Sequence, residues 1–178
     1  MHKDIVIHLP EHEVKAKKIV DLFLEETIPS NYEGILNITG CSGTGKTEVA
    51  WFVSRQLYKL GISSHVVNLD RLYKVNAKVR NDWRRKTGII GHEEMNWKRI
   101  NEEILMFANN NTQVLIFEGL YSGYIDGITF CIEGTIASTE EFRKLRGKEN
   151  EEDAFRKIVV EEEYAEILKK ADYYNYRI

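Results

Sequence analysis

Eight consecutive residues have the types and spacing to hold phosphate: Gly40-Cys41-Ser42-Gly43-Thr44-Gly45-Lys46-Thr47. The pattern G-x-x-x-x-G-K-[ST] is that of a loop that wraps the phosphates of ATP or GTP. Gly40, Gly43 and Gly45 let the backbone turn tightly, so that successive N–H groups, with Ser42 and Thr44 among them, face inward at phosphate oxygens. Lys46 supplies a mobile positive charge for the β- and γ-phosphates. The Thr47 hydroxyl is suited to be a ligand of Mg²⁺.

Two acids stand where such a loop needs them. Val114-Leu115-Ile116-Phe117 is an apolar run that ends in Glu118 and Gly119. This is the pattern of a strand beside the phosphate loop whose carboxylate orients the Mg²⁺ shell. His65-Val66-Val67-Asn68-Leu69 reads as another strand and ends in Asp70. In parallel α/β sheets ligands bind beyond the carboxyl ends of the strands. Asp70 is therefore a candidate general base for a substrate hydroxyl. A helix cap or a solvated loop acid is an equal reading from position alone.

These residues require a particular set of elements. Ile35 to Thr39 is a short apolar run, read as a buried strand leading into the loop. Glu48 to Leu60 is read as the helix that follows, with Val49, Phe52, Val53, Gln56, Leu57 and Leu60 at three- and four-residue steps and Gly61 as the stop. Ile128 to Ile132 and Ala171 to Tyr176 are read as two further strands. Lys98 to Ala108 is read as a helix with Ile100, Ile104, Leu105 and Ala108 on one side. Ala154 to Lys170 is another, with Phe155, Ile158, Val159, Tyr164, Ile167 and Leu168 as core candidates. Before the loop, Asp4 to Leu9 alternates weakly as an edge strand. Pro10 then suits a helix start, and Ala16, Ile19, Val20, Phe23 and Leu24 form an apolar stripe to about Glu26. That helix either packs on the sheet edge or forms a dimer contact.

Composition bounds the rest. A chain of 178 residues is expected to form a single domain, with 1–33 as an N-terminal extension. Hydrophobic content of 43% and charged content of 30% are those of a soluble globular protein. The net charge of −3 indicates no large nucleic-acid surface. Cys41 and Cys131 have no C-x-x-C partner, so neither a metal cluster nor a disulfide framework is expected. No apolar run reaches bilayer length and no signal-peptide core is visible, so a reduced, cytoplasmic setting without membrane contact is expected.

Two cation runs admit two readings each. Lys74, Lys78, Arg80, Arg84, Arg85 and Lys86 form either a solvated helix face or a surface for an anionic group on a substrate. Arg143, Lys144, Arg146 and Lys148 follow a capping box at Ser138 and Glu141. They form either a solvated helix or a lid that closes on transferring phosphate, for which the planar guanidinium is suited.

Together these segments resemble the P-loop kinases of the uridine kinase, pantothenate kinase and phosphoribulokinase type, from about Ile35 onward. Gly40 to Thr47 resembles their G-x-S-G-S-G-K-[ST]. Asp70-Arg71-Leu72-Tyr73-Lys74 resembles D-x-F-Y-[KR], in which the Asp is the base and the Tyr holds substrate. Ile116-Phe117-Glu118-Gly119 resembles their hydrophobic-E-G strand end. Arg143 to Lys148 resembles their arginine-bearing lid, here abbreviated to about 138–157, and Ala171-Asp172-Tyr173 resembles their last strand. Between the second and third strands, Ile90 to Trp97 keeps the His, as His92, but has Gly91 in place of the expected Asp and is one residue short.

The resemblance implies a three-layer α/β fold with a five-stranded, mainly parallel sheet in the order 2-3-1-4-5. It implies transfer of the γ-phosphoryl of ATP to a hydroxyl of a small molecule, with Mg²⁺ as cofactor. Lys46, Asp70, Arg143 and Arg146 would be catalytic, Thr47 and Glu118 would serve the metal, and Tyr73 and His92 would face the substrate. Alternatives are a kinase for an already phosphorylated nucleotide or sugar, and a non-catalytic nucleotide-binding regulator. A GTPase would need an N-K-x-D base reader and a D-x-x-G after the third strand; neither is found.

Overall fold

A computed structural model describes residues 8–134, 141, 154–170 and 173–178. The expected strand at Asp4 to Leu9 lies almost wholly outside these residues. So do the capping Ser138, the lid cations Arg143, Lys144, Arg146 and Lys148, and Ala171-Asp172.

Five strands form one sheet: β1 (Gly34–Gly40), β2 (Ser64–Asn68), β3 (Val114–Glu118), β4 (Ile128–Ile132) and β5 (Tyr176–Arg177). Their order is β2-β3-β1-β4-β5, and every pairing is parallel. The last strand begins at Tyr176, later than the expected Ala171 to Tyr176 segment, and its two residues pair with Phe130 and Cys131. Parallel strands need crossovers. α1 (Pro10–Thr27) precedes β1, α2 (Lys46–Lys59) links β1 to β2, and α3 (Ala77–Thr87) and α4 (Trp97–Ala108) link β2 to β3. β3 reaches β4 through a short helical turn at Ser122–Tyr124, and α5 (Ala154–Lys169) lies between β4 and β5.

Side-chain alternation along the strands builds two cores. Leu36 and Ile38 on β1, with Val114 and Ile116 on β3, face one side. There they meet Ala16, Ile19, Val20 and Phe23 of α1 and Val49, Val53 and Leu57 of α2. Leu115 and Phe117, one residue out of phase, face the other side with Leu72, Tyr73, Met95, Ile100 and Tyr121. Each of the larger apolar side chains removed from water contributes about 1.5–3 kcal/mol. α1 therefore lies against α2 in a layer over the sheet rather than at its edge.

Some apolar residues expected in the core are outside it. Leu60, Leu105, Ile158 and Leu168 are exposed. On α5 the buried positions are Val159, Glu163, Glu166 and Ile167, so part of that helix's inner face is acidic. Among the described residues no helix is long and apolar enough to cross a membrane.

Candidate active site

The site forms where β1, β2 and β3 end. In the register Ile38 and Asn68 both lie level with Glu118, so three neighbouring strands deliver their ends to one place. Alternation then decides which way the side chains face. Glu118 shares the phase of Val114 and Ile116, and Asn68 that of Val66, so both turn to the α2 side.

The Thr47 hydroxyl, in the first turn of α2, donates to the Glu118 carboxylate at 3.2 and 3.3 Å. The Asn68 amide donates to Glu118 Oε1 at 2.5 Å, and Asn68 Oδ1 accepts the Asp70 N–H at 2.8 Å. Asn68 is thus the joint between the two acids. Composition-based motif reading passes over it; its signal is a polar residue in phase with Val66.

The phosphate loop folds around one carbonyl. Cys41 O accepts the Thr44 N–H at 3.4 Å, the Thr44 hydroxyl at 3.0 Å and Lys46 Nζ at 2.5 Å. Gly45 is left-handed at φ 80° and starts α2 without a side-chain cap, so the first N–H groups of the helix face the loop's concavity. After Glu118, Gly119 takes φ 151°, and a β-carbon there would stand 2.7 Å from Leu69 Cβ. Only glycine lets β3 turn away this close to the segment after β2.

Charge links these groups. Burial lowers the pKa of Lys46, whereas Glu118 and Asp70 raise it. Burial pushes the Glu118 carboxyl from its ordinary 4.5 to about 7; Lys46 acts against this, Asp70 adds to it, and the Thr47 hydroxyl opposes it. The folded state therefore favours protonated Glu118. Its contribution to stability is complete below about pH 4.5 and is lost as pH rises to about 7. Without Mg²⁺ or nucleotide, Glu118→Gln is expected to melt with the wild type near pH 4.5 and above it at pH 8. The gap corresponds to on the order of 3 kcal/mol. A wild type that is the more stable at pH 8 would contradict this.

Asp70 lies in a short helical turn, Leu69–Arg71, directly after β2, and its side chain is exposed. Tyr73 follows at 8% exposure, with the Arg80 guanidinium 3.4 Å from its ring centre and Tyr121 edge-on. The segments around Tyr73 and Met95 bridge antiparallel, and Asn96 N–H and Lys74 N–H tie them through Leu72 O and Glu94 O. His92 is bonded to Glu166 at 2.7 Å and stacked on Tyr124 at 4.2 Å, while Tyr124 also donates to Glu166 at 2.6 Å. Burial opposes ionisation of Glu166, but hydrogen bonds from Lys169, Tyr124 and His92 outweigh it and bring the carboxyl down to about 2.

The basic run divides by environment. Arg84 is 2% exposed and gives Nε and Nη2 to Glu94 at 2.9 and 2.8 Å, and Nη2 to Glu163 at 2.9 Å. Desolvation works against its charge, but the two carboxylates hold it protonated. Arg84 is thus a tie between α3, the Glu94 turn and α5. Arg84→Ala leaves Glu94 without its cation and Glu163 with only Arg156 at 4.0 Å, and is expected to destabilise by about 3–5 kcal/mol, read as a lowered denaturant midpoint. Arg84→Lys should recover little, because an ammonium cannot reproduce the planar fork. Arg85 lies against Asp82 and the Phe155 ring.

By sequence the chain matches no family model and no curated protein. By structure it is similar to a provisionally assigned fructose transport system kinase from Silicibacter sp. TM1040. Identity is 16% and the TM-score 0.56, over 77% of this chain and 85% of that one. It also matches a possible uridine kinase from Bacillus stearothermophilus, at 15% identity and a TM-score of 0.46, over 92% and 99% of the two chains. The fold is that of the P-loop kinases.

Proposed function

We propose that the chain is an ATP-dependent kinase that moves the γ-phosphoryl to a hydroxyl of a small molecule. One observation carries the reading. Glu118 beside the Thr47 hydroxyl at the end of β3, the exposed Asp70 just beyond β2 and Lys46 at the start of α2 after β1 converge, close enough that Asp70 raises the pKa of both Glu118 and Lys46. Bound ATP and Mg²⁺ would supply the transferable phosphoryl and the cation that neutralises it.

The residues fit those groups. The backbone arc of Gly43 to Thr47 and Lys46 would hold phosphate. The Thr47 hydroxyl and Glu118 carboxylate form an oxygen-only donor pair suited to Mg²⁺, which commonly takes one or two protein oxygens and keeps water for the rest. Among the described residues no group of three or more His, Cys, Asp and Glu is placed to cage a metal. Asp70 would accept the acceptor's hydroxyl proton, and Tyr73 and His92 would stand on the acceptor side. Catalysis would come mainly from positioning and charge neutralisation.

Arg80 favours a second reading, an acceptor that already carries an anionic group. It lies over Tyr73 and makes no ion pair among the described residues. An acceptor screen with ATP and Mg²⁺, scored by ADP release, tests both. Turnover with neutral alcohols or nucleosides supports the first, and turnover confined to phosphorylated sugars or nucleotides supports the second. ATP binding without turnover on any acceptor would leave a regulatory nucleotide-binding protein.

A further inference from the structure

The phosphate loop is backed by a residue from outside its own motif. His12, in the first turn of α1, is 2% exposed. A β-carbon built on Gly45 would stand 2.5 Å from His12 Nε2, 3.0 Å from Cδ2 and 3.4 Å from Cε1. The distal edge of the ring therefore abuts the α-carbon of the left-handed glycine just before Lys46. The proximal nitrogen is engaged elsewhere: Nδ1 accepts the Leu9 N–H at 3.3 Å. A neutral imidazole that accepts at Nδ1 carries its proton on Nε2, so a donor edge faces the loop.

Filling space does not account for an imidazole here. The other buried residues of the α1 stripe are Ala16, Ile19, Val20 and Phe23 and, in the last turn of the helix, Thr27, whose hydroxyl donates to Phe23 O. An apolar residue at position 12 would extend that stripe without burying a polar ring. The ring also meets the loop where movement matters most. Gly45 sets the direction of the first N–H groups of α2, and its carbonyl accepts the Val49 N–H at 2.9 Å.

We propose that His12 is a positioning residue for the phosphate loop. Its Nε2 edge seats Gly45 and holds the N–H groups of Gly43 to Thr47 in the arc that receives phosphate. The inference rests on the nucleotide-binding reading of Gly40 to Thr47. His12 touches no phosphate; it acts through Gly45, by ordering the loop before the ligand arrives, which removes part of the ordering penalty of binding. The competing role is purely structural: an acceptor for Leu9 N–H that tethers the start of α1.

Three variants of the full chain separate these roles. In His12→Asn, Oδ1 takes the place of Nδ1 and keeps the Leu9 N–H satisfied, but nothing reaches Gly45. In His12→Gln, the amide reaches the place of Nε2 and the near acceptor is lost. His12→Ala has neither. Affinity for Mg²⁺ with a non-hydrolysable ATP analogue is read by calorimetry, beside wild type and Lys46→Ala, and each protein is melted without nucleotide.

If His12 positions the loop, Asn and Ala weaken nucleotide binding by roughly tenfold, the scale of the ordering cost that a pre-seated loop avoids, and Gln recovers most of it. The Asn variant nevertheless melts above the Ala variant. Should Ala not fold, the Asn and Gln pair still decides. Asn binding like the wild type, with Gln the weaker, would show a tether for α1 only and overturn the proposal. Unchanged affinity in every variant would overturn it as well. A wild type that binds no nucleotide, or that loses nothing on Lys46→Ala, would defeat the reading of the loop itself, a pattern distinct from failure at His12 alone.

Discussion

Lys46→Ala is expected to reduce ATP-dependent turnover by at least about 10²–10³-fold, the scale of removing one charge-stabilising donor from a dry site, and to weaken nucleotide binding. Lys46 is 9% exposed and its ammonium faces Cys41 O, with Glu118 and Asp70 close enough to favour its charge. No other side chain of the loop carries positive charge, so alanine leaves only backbone N–H groups facing phosphate. A second effect follows at Glu118. Lys46, more than the Thr47 hydroxyl, holds that carboxyl down against burial. Without it Glu118 should be more protonated at pH 7 and a poorer partner for Mg²⁺. ADP release and calorimetry check the first effect, and a pH titration of the Glu118 carboxyl by NMR checks the second. Near-normal turnover would exclude Gly40 to Thr47 as the phosphate site.

Asp70→Asn should separate binding from chemistry. The amide has the shape of the carboxylate but cannot take a proton, so turnover should fall by about 100-fold or more. The Asn68 bond reaches the Asp70 backbone N–H, which the substitution keeps, so the turn after β2 should persist. Nucleotide affinity should stay within about threefold, since Asp70 lies outside the phosphate arc. Neutralising Asp70 also removes an anion that raises the pKa of both Glu118 and Lys46, so both are expected to titrate lower than in the wild type. A variant that keeps its turnover would make Asp70 a turn residue and move the base elsewhere.

What could be read from sequence followed from short-range rules. Apolar runs ending in an acid located β2 and β3 to within a residue or two, because a buried strand has a minimum length and its end faces the ligand edge. Pro10 marked the start of α1, because its missing N–H is harmless in a first turn. The sheet order 2-3-1-4-5 came from resemblance, since periodicity carries no information on which strands become neighbours. No motif singles out His12, although its spacing to Ala16, Ile19 and Val20 puts it on the buried stripe. A histidine there says "inside", but it does not say that a loop beginning 28 residues later lies against it.

The linear chain was sufficient for β1, β2 and β3 and for the positions of Glu118 and Asp70 at or just beyond two of their ends, because strand length and alternation depend on residues a few positions apart. The third dimension assigned the partners. Asn68 joins the two acids, His12 backs Gly45, and Arg84 is neutralised by Glu94 and by Glu163, a residue brought in from α5. Burial and Coulomb attraction depend on separation in space. Two arginines in one basic run, Arg80 and Arg84, can therefore differ completely: one lies over the Tyr73 ring, and the other is locked in buried ion pairs with Glu94 and Glu163.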